Sequence, residues 1–531
     1  VTAVNDVPTL SGAGGTLSFT ENGVATVIDG TLSVADVDDA DLELATITIS
    51  SGYVSSEDVL GFSTQNGISG SWNSGAGVMT LSGSSSKADY ETALESVTYN
   101  NTSEAPNTIA RTITWIINDG DGNSTSVTST VSMTAFNDVP TLGDAGGTLS
   151  FTENGGATVI DGTLSVADVD DANLELATIT ISAGYVSSED VLGFSTQNGI
   201  SGIWNSGSGV MSLSGTSSKA NYETALMSVT YNNTSENPNT SARTITWVLN
   251  DGVGNSSGVT STISVTALND APTIAINTGV TLTESGSVII SALMLNEGDP
   301  DDEAAGLTYT VTSAPVSGQL ELTTGAGVAI TSFTQDDIDN SRLLYVHDGS
   351  ETSSDSFAFS LADGGENSAA AVTGTFSIAV TAVNDVPTLG DAGGTLSFTE
   401  NGGATVIDGT LSVADVDDVN LELATVTISA GYVSSEDVLG FSTQNGISGS
   451  WNSGAGVMTL SGSSSKADYE TALESVTYNN TSEAPNTSAR TITWVINDGD
   501  GNSTSVTSTI NVIAVNDAPT IATNAGGTVK E

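Results

Sequence analysis

Cysteine is absent from the 531 residues, which excludes disulfide staples and thiolate metal sites. A single histidine, His347, leaves zinc without its usual nitrogen and sulfur ligands. Only 8 lysines and arginines stand against 63 aspartates and glutamates, a formal charge of −55. Nucleic acids and anionic membrane surfaces are gripped by basic side chains, so neither is expected as a partner. No run of 18 apolar residues occurs, so direct membrane insertion is not expected either. There is no long helix-period stretch and no repeated nucleophile–base arrangement, so the chain is not expected to be an enzyme. A long extracellular chain without cysteine suits bacterial secretion better than animal secretion.

What is present is a strand-and-turn palette of Gly, Ser, Thr, Val and Ile, arranged in a long-period repeat. "AVNDVPTL" at Ala3 returns as "AFNDVPTL" at Ala135, "ALNDAPTI" at Ala267, "AVNDVPTL" at Ala382 and "AVNDAPTI" at Ala514. The Asn-Asp pairs begin at 5, 137, 269, 384 and 516, giving spacings of 132, 132, 115 and 132 residues. Periods of that size mean whole domains in tandem rather than solenoid turns. Long repeats are expected at 5–136, 137–268 and 384–515, and a short, divergent one at 269–383. Residues 1–4 read as the last strand of a preceding repeat, and 516–531 as the start of a further one. The distance from Asn to the next landmark Glu is 15 residues at 269 and again at 516, against 16 in long repeats, so that further repeat is expected to be short.

Within the first repeat, strands are expected at Thr16–Phe19, Ala25–Ile28, Ala45–Ser50, Val78–Ser82, Ser96–Asn100, Arg111–Ile117 and Ser126–Thr134. Alternation in "RTITWIIND" puts Ile113, Trp115 and Ile117 on one face. A short helix is expected in "SSSKADYETAL", capped by Ser86 with Tyr90, Ala93 and Leu94 inward. Trp72, Trp115 and Tyr99 read as packing residues. In the short repeat Tyr345 matches Tyr99, and Asp363-Gly364 matches Asp119-Gly120, so it is expected to have the same fold with one loop or hairpin shortened. Lys87, Lys219 and Lys466 share one repeat position and read as solvated residues at a helix start.

The acids recur at fixed places. A Glu follows each linker at Glu21, Glu153, Glu284 and Glu400. An Asp-Xaa-Asp-Asp loop comes later, at Asp36, Asp38 and Asp39; Asp168, Asp170 and Asp171; Asp299, Asp301 and Asp302; Asp415, Asp417 and Asp418. An Asp-Gly turn near the end supplies Asp119, Asp251, Asp363 and Asp498, followed by Asn123, Asn255, Asn367 and Asn502. The linkers supply Asn137, Asp138, Asp270, Asp385 and Asp517. Each motif alone is an ordinary turn signal. Adjacent acids repel, yet they persist in the divergent repeat while its other residues change. A hard, oxygen-seeking cation explains this, and Ca²⁺ fits better than Mg²⁺, which keeps its water.

The strand "VTAVNDVPT" at Val380, and "DYETALESVTYNNTSEAPNTSARTITWVINDG" at Asp468, resemble the cadherin-like tandem repeats of large bacterial RTX and biofilm-type adhesins. "GQLELTTGAGVAITSFTQDDIDNSRLLYVHDGSE" at Gly318 resembles the chondroitin-sulfate-proteoglycan type of cadherin-like repeat. The resemblance implies an all-β fold: a tandem array of Ig/cadherin-like Greek-key β-sandwich domains forming an extended rod. It also implies Ca²⁺ at the domain junctions. Carried over residue by residue, the first junction would use Glu21, Asp119, Asp121, Asn137, Asp138, Asp168 and Asp170. The second would use Glu153, Asp251, Asp270, Asp299 and Asp301, and the third Glu284, Asp363, Asp385, Asp415 and Asp417. The remaining members of the pattern are Asp36, Asp38, Glu400, Asp498 and Asp517. Departures are a shorter linker than in cadherins, no Asp-Arg-Glu motif, and Val253 in the second repeat at the position that Asp121 holds in the first. The function so implied is a calcium-stiffened extender in a secreted or cell-surface adhesin, partnered by its own neighbouring repeats. The alternatives are a module gripping extracellular polysaccharide or another cell surface, and a subunit of a self-assembling filament or surface layer.

Overall fold

The computed structural model describes residues 4–365, 369–520 and 526–527. The expectations for the terminal part-repeats and for Asn367 fall largely or wholly outside these residues. The chain divides into two compact units, Val1–Asn269 and Asp270–Glu531. The first holds two long repeats, and the second holds the short repeat and the third long one.

The first repeat contains eleven strands and one helix. They are β1 (Thr9–Ser11), β2 (Thr16–Thr20), β3 (Thr26–Val27), β4 (Ser33–Ala35), β5 (Asp41–Ser51), β6 (Asp58–Gly61), β7 (Ser69–Asn73), β8 (Val78–Ser86), α1 (Lys87–Glu95), β9 (Thr98–Asn101), β10 (Arg111–Asn118) and β11 (Val127–Thr134). A six-stranded sheet in the order β2-β11-β10-β5-β8-β7 faces a three-stranded sheet β3-β9-β6, and β1 pairs with β4. This is a Greek-key β-sandwich. The pairing of β2 with β11 is parallel, Thr16 to Thr20 against Thr130 to Thr134. The other neighbours in the large sheet are antiparallel.

Period-two patterning builds the core. Ile113, Trp115 and Ile117 of β10 are fully buried, as are Ile47 of β5 and Tyr99 of β9. Phe19 meets Tyr99 edge-to-face across the sheets at 5.2 Å between ring centres. The buried Trp115 indole donates to Ser129 Oγ at 2.9 Å, and Ser129 donates to Asp29 at 2.7 Å, so the polar end of the ring is satisfied. Helix α1 starts where Ser86 accepts from the Asp89 amide, and it buries Tyr90, Ala93 and Leu94. The expected helix and core face are therefore those seen. The expected strand set omits β1, β4, β6 and β7, which are short or lack clean alternation. Trp72 lies in β7, half-buried against Tyr53 at the rim of the core.

Each long repeat also encloses an ion pair that patterning does not reveal. Arg111, fully buried, donates from Nε to both oxygens of Asp58 at 3.1 Å. Its Nη1 reaches the carbonyls of Asn107 and Ile109, and its Nη2 lies 3.0 Å from Asp58 and 3.3 Å from Glu57. Asp58 also accepts from the Tyr99 hydroxyl and, at 3.1 Å, from Asn101. The set recurs as Arg243–Asp190 and Arg490–Asp437.

The short repeat keeps the architecture with one strand fewer in the large sheet. Its sheets are Val280–Thr283, Val372–Thr381, Ser354–Ala362, Thr308–Ser313 and Ser332–Thr334, facing Ser287–Ile289, Leu343–His347 and Gly318–Leu322. The counterpart of β7 is missing, and that of β8 is cut to three residues. Tyr345 occupies the place of Tyr99, but its hydroxyl donates to Asp355, at 2.8 Å. Its core is held by Tyr309, Phe333, Phe357, Phe359 and Phe376 rather than by tryptophan.

Asp190→Ala would leave Arg243 buried without its fully buried carboxylate partner, facing only the partly exposed Glu189 at 3.3 Å. A loss of about 3–5 kcal/mol is expected in the second repeat. Calorimetry of the full chain should show one transition moving down while the others hold.

Candidate cation sites at the repeat ends

Topology decides which acids meet. Strands β5 and β10 are antiparallel, with Leu44 opposite Asn118. The turn after β10 therefore lies beside the loop that precedes β5, at the N-terminal end of the repeat. There Asp36 Oδ1 accepts from the amides of Asp38 and Asp39 at 3.0 and 2.8 Å. Asp119 Oδ1 likewise accepts from Asp121 and Gly122 at 2.8 and 2.6 Å. The linker joins both: Asn5 Nδ2 donates to Asp119 at 3.0 Å, and the Asp6 amide donates to Asp38 at 3.2 Å.

The second repeat reproduces this end. Asn137 donates to Asp251 at 2.9 Å, the Asp138 amide to Asp170 at 3.2 Å, and the Asp171 amide to Asp168 at 2.8 Å. Carboxylate oxygens of Asp168, Asp171 and Asp251 all lie within 4.8 Å of one another. In the second unit, Asn384 donates to Asp498 and the Asp385 amide to Asp417, both at 3.1 Å. The Asp418 amide donates to Asp415 at 2.8 Å. The short repeat has the same turn, with Asp301 and Asp302 donating to Asp299 at 2.9 and 3.1 Å, and the Asp270 amide donating to Asp301 at 2.8 Å.

The C-terminal end is made differently. Because β2 runs parallel to β11, Glu21 emerges beside the outgoing chain, and its amide donates to Thr134 O at 2.9 Å. Glu21 Oε2 accepts from the Phe136 amide at 2.8 Å. Glu153 and Glu400 accept from Leu268 and Val515, both at 2.8 Å, and Glu284 accepts from Val383 at 3.3 Å. Glu21, Glu104 and Asp138 bring oxygens within 4.8 Å of one another, as do Glu284, Glu351 and Asp385.

These positions regroup the sequence-based junction sets. Asp119 and Asp121 do not join Glu21. They lie at the opposite end of the first repeat, with Asn5 and Asp36–Asp39. Asp251 joins Asn137 and Asp168, and Asp498 joins Asn384. Asp363 follows Ala362, which pairs with Thr308, so it too lies at the N-terminal end of its own repeat. Asp517 is exposed in the last linker. Glu104 and Glu351 were not anticipated, although Ser-Glu recurs there as Ser103-Glu104, Ser235-Glu236, Ser350-Glu351 and Ser482-Glu483, a visible signal.

The linker pair is two-faced. Asn137 and the amide of Asp138 bind forward into the second repeat, while the carboxylate of Asp138 faces back toward Glu21 and Glu104. Asn384 and Asp385 do the same between the short repeat and the last long one.

The chemistry suits a hard cation. All the grouped donors are oxygens, and a 4.8 Å spread is one that a single ion with bonds of about 2.4 Å can bridge. Buried oxygens of Glu21, Asp36, Asp138, Asp168, Glu284, Asp299, Glu400 and Asp415 have no hydrogen-bond donor. Burial raises the carboxyl of Glu21 above its ordinary value, and Asp138, Asp170 and Glu104 add to this against the Phe136 amide. Asp138 is raised by burial, then by Asp170 and Glu104. Asp251 moves the other way: burial opposes its charge, but donors from Gly254, Asn137 and Val253 outweigh it.

Residues 272–380 match the family model described as Cadherin-like. The chain is 26% identical over 431 residues to halomucin of Haloquadratum walsbyi, covering 72% of this chain and 5% of that protein. It is 36% identical over 124 residues to the human extracellular matrix organizing protein FRAS1, covering 23% of this chain and 3% of FRAS1. The chain thus spans a small fraction of the length of these relatives. A solved structure of protocadherin gamma B2 extracellular cadherin domains 1–5 aligns over 97% of this chain and 82% of its own, at 13% identity and a TM-score of 0.35.

A carboxyl raised in the fold stabilises when protonated, and that stabilisation is lost as pH rises through its folded value. In chelator, melting temperature is therefore expected to rise as pH falls from 7 toward the ordinary glutamate value of 4.5. The variant Glu21→Gln/Asp138→Asn should show a smaller gain. Calorimetry at both pH values checks this, and an equal gain in the variant would contradict it.

Proposed function

We propose that this chain is a stretch of a calcium-stiffened stalk in a large secreted or cell-surface adhesin, of the bacterial RTX or biofilm-associated kind. The observation that carries this reading is the two-faced linker. At Asp138 and at Asp385, one residue gives its amide to the following repeat and its carboxylate to the acids of the preceding one. A cation bound to Glu21, Glu104 and Asp138, or to Glu284, Glu351 and Asp385, would offset their repulsion and fix one repeat against the next. Without it the same acids repel, and the linker becomes a hinge.

Ca²⁺ is the ion of choice because it accepts six to eight oxygens in adaptable geometry. A ligand that binds only the ordered junction also stabilises it by mass action. The names of the matched relatives, halomucin and an extracellular matrix organizing protein, support an extracellular setting. The partners in this reading are the neighbouring repeats of the same chain.

Small-angle scattering of the full chain in millimolar calcium and then in excess chelator tests the proposal. The maximum dimension should contract and the profile should become that of a flexible chain of beads. A scattering curve unmoved by chelation would overturn calcium stiffening.

A further inference from the structure

Three of the eight basic residues, Lys87, Lys219 and Lys466, open the short helix of each long repeat. A cation at a helix N-terminus faces the positive end of the helix dipole, so the helix gives no reason for it. Nor is the side chain simply solvated, as the sequence suggests. Lys87 Nζ donates to the carbonyls of Asp36 and Asp39, both at 2.8 Å. Lys466 reaches Asp415 at 2.8 Å and Asp418 at 2.6 Å. Lys219 reaches Asp168 at 2.6 Å. In every case the target is a backbone carbonyl of the Asp-Xaa-Asp-Asp loop.

In the short repeat Gln335 holds that helix position, and its Nε2 donates to Asn296 and Asp339, at 2.8 and 2.9 Å, not to the loop. There the segment just after the loop is tied to the helix start by backbone bonds, Asp336 N to Ala304 O and Gln335 N to Leu307 O, both at 3.0 Å. The long repeats pair their backbone at the same place, Asp41 with Ser86, Asn173 with Ser218 and Asn420 with Ser465, so the lysine is a hold on the loop that they have in addition.

The anchor bears on the cation site directly. The first Asp of each loop uses Oδ1 to cap its own turn. Its Oδ2 is buried and without a donor in Asp36, Asp168, Asp299 and Asp415. Asp168 as a whole is only 8% exposed. Where Oδ2 points depends on the loop's being held. The lysine holds it through carbonyls, which leaves the carboxylates free.

We infer that Lys87, Lys219 and Lys466 are positioning residues of the cation sites, keeping the acidic loop in its binding shape before the ion arrives. The inference rests on the calcium reading above. A nearby ammonium charge by itself would weaken cation binding. Preorganisation acts in the opposite direction, and the inference requires it to outweigh the charge: the ammonium is directed at carbonyls, and among the described residues the ion pairs involve arginine only.

The test is hydrogen exchange by mass spectrometry on the full chain, titrated with calcium from chelator. Wild type is compared with K87M/K219M/K466M and with K87R/K219R/K466R, whose guanidinium can still donate to both carbonyls. In the Met variant, the loops at 36–41, 168–173 and 415–420 should exchange about tenfold faster in chelator. Their calcium midpoint should rise at least several-fold. The loop at 299–306 should be unchanged, and the Arg variant should recover most of the difference. A general loss of stability would instead speed exchange in the core strands without moving the calcium midpoint selectively. If wild type responds to calcium and the Met variant has the same or a lower midpoint, the lysine inference fails alone. If wild type shows no calcium response, the calcium reading fails and the inference with it.

Discussion

Repulsion between carboxylates at the ends of each sandwich is the constraint on which the rest of the structure turns. The antiparallel pairing of β5 with β10 brings the Asp-Xaa-Asp-Asp loop and the Asp-Gly turn to one end, and the linker arrives there as well. In each long repeat the acids are held in place by backbone amides and one linker asparagine, which donate to the carboxylates, and by a lysine that holds the loop through its carbonyls. Donors do not reach every oxygen, and those left over are the ones that crowd at the repeat ends. The cores, rich in Ile, Val and aromatic rings, are ordinary by comparison.

The few basic residues are almost wholly committed to internal tasks. Arg111, Arg243 and Arg490 are buried with Asp58, Asp190 and Asp437. Arg342 pairs with Asp336 and Asp337. The three helix-initial lysines hold loop carbonyls. Among the described residues, no basic side chain remains as a counter-ion for the exposed acids. Neutralisation of the surface must come from the medium, so ionic composition is in effect part of this protein's structure.

Much of this was legible in the sequence. The alternation of "RTITWIIND" identified the inward face of β10, and Ser86 with Tyr90, Ala93 and Leu94 identified the helix and its buried side. The repeat phase located the acids. The sequence could not say which end of a sandwich each acid occupies, because that depends on strand direction, a long-range property. Hence Asp119 was grouped with Glu21, though the two lie at opposite ends of one repeat. Ser103-Glu104 in a polar loop has the signature of solvated surface, so no local pattern marks Glu104. Arg111 and Asp58 lie 53 residues apart in sequence, and no local pattern couples them. The role of the lysines is hidden for a similar reason: their partners are backbone carbonyls, which carry no residue signature.

The parallel pairing of β2 with β11 has a mechanical consequence. The chain enters the sandwich near the start of β2 and leaves from the end of β11. A pull on the two termini of a repeat draws these strands along one another in opposite directions. The five residue pairs from Thr16–Thr130 to Thr20–Thr134 are then loaded together in shear, whereas a hairpin pulled at its open end would unzip one pair at a time. A repeat built this way resists tension most strongly along the direction in which the chain itself would transmit it.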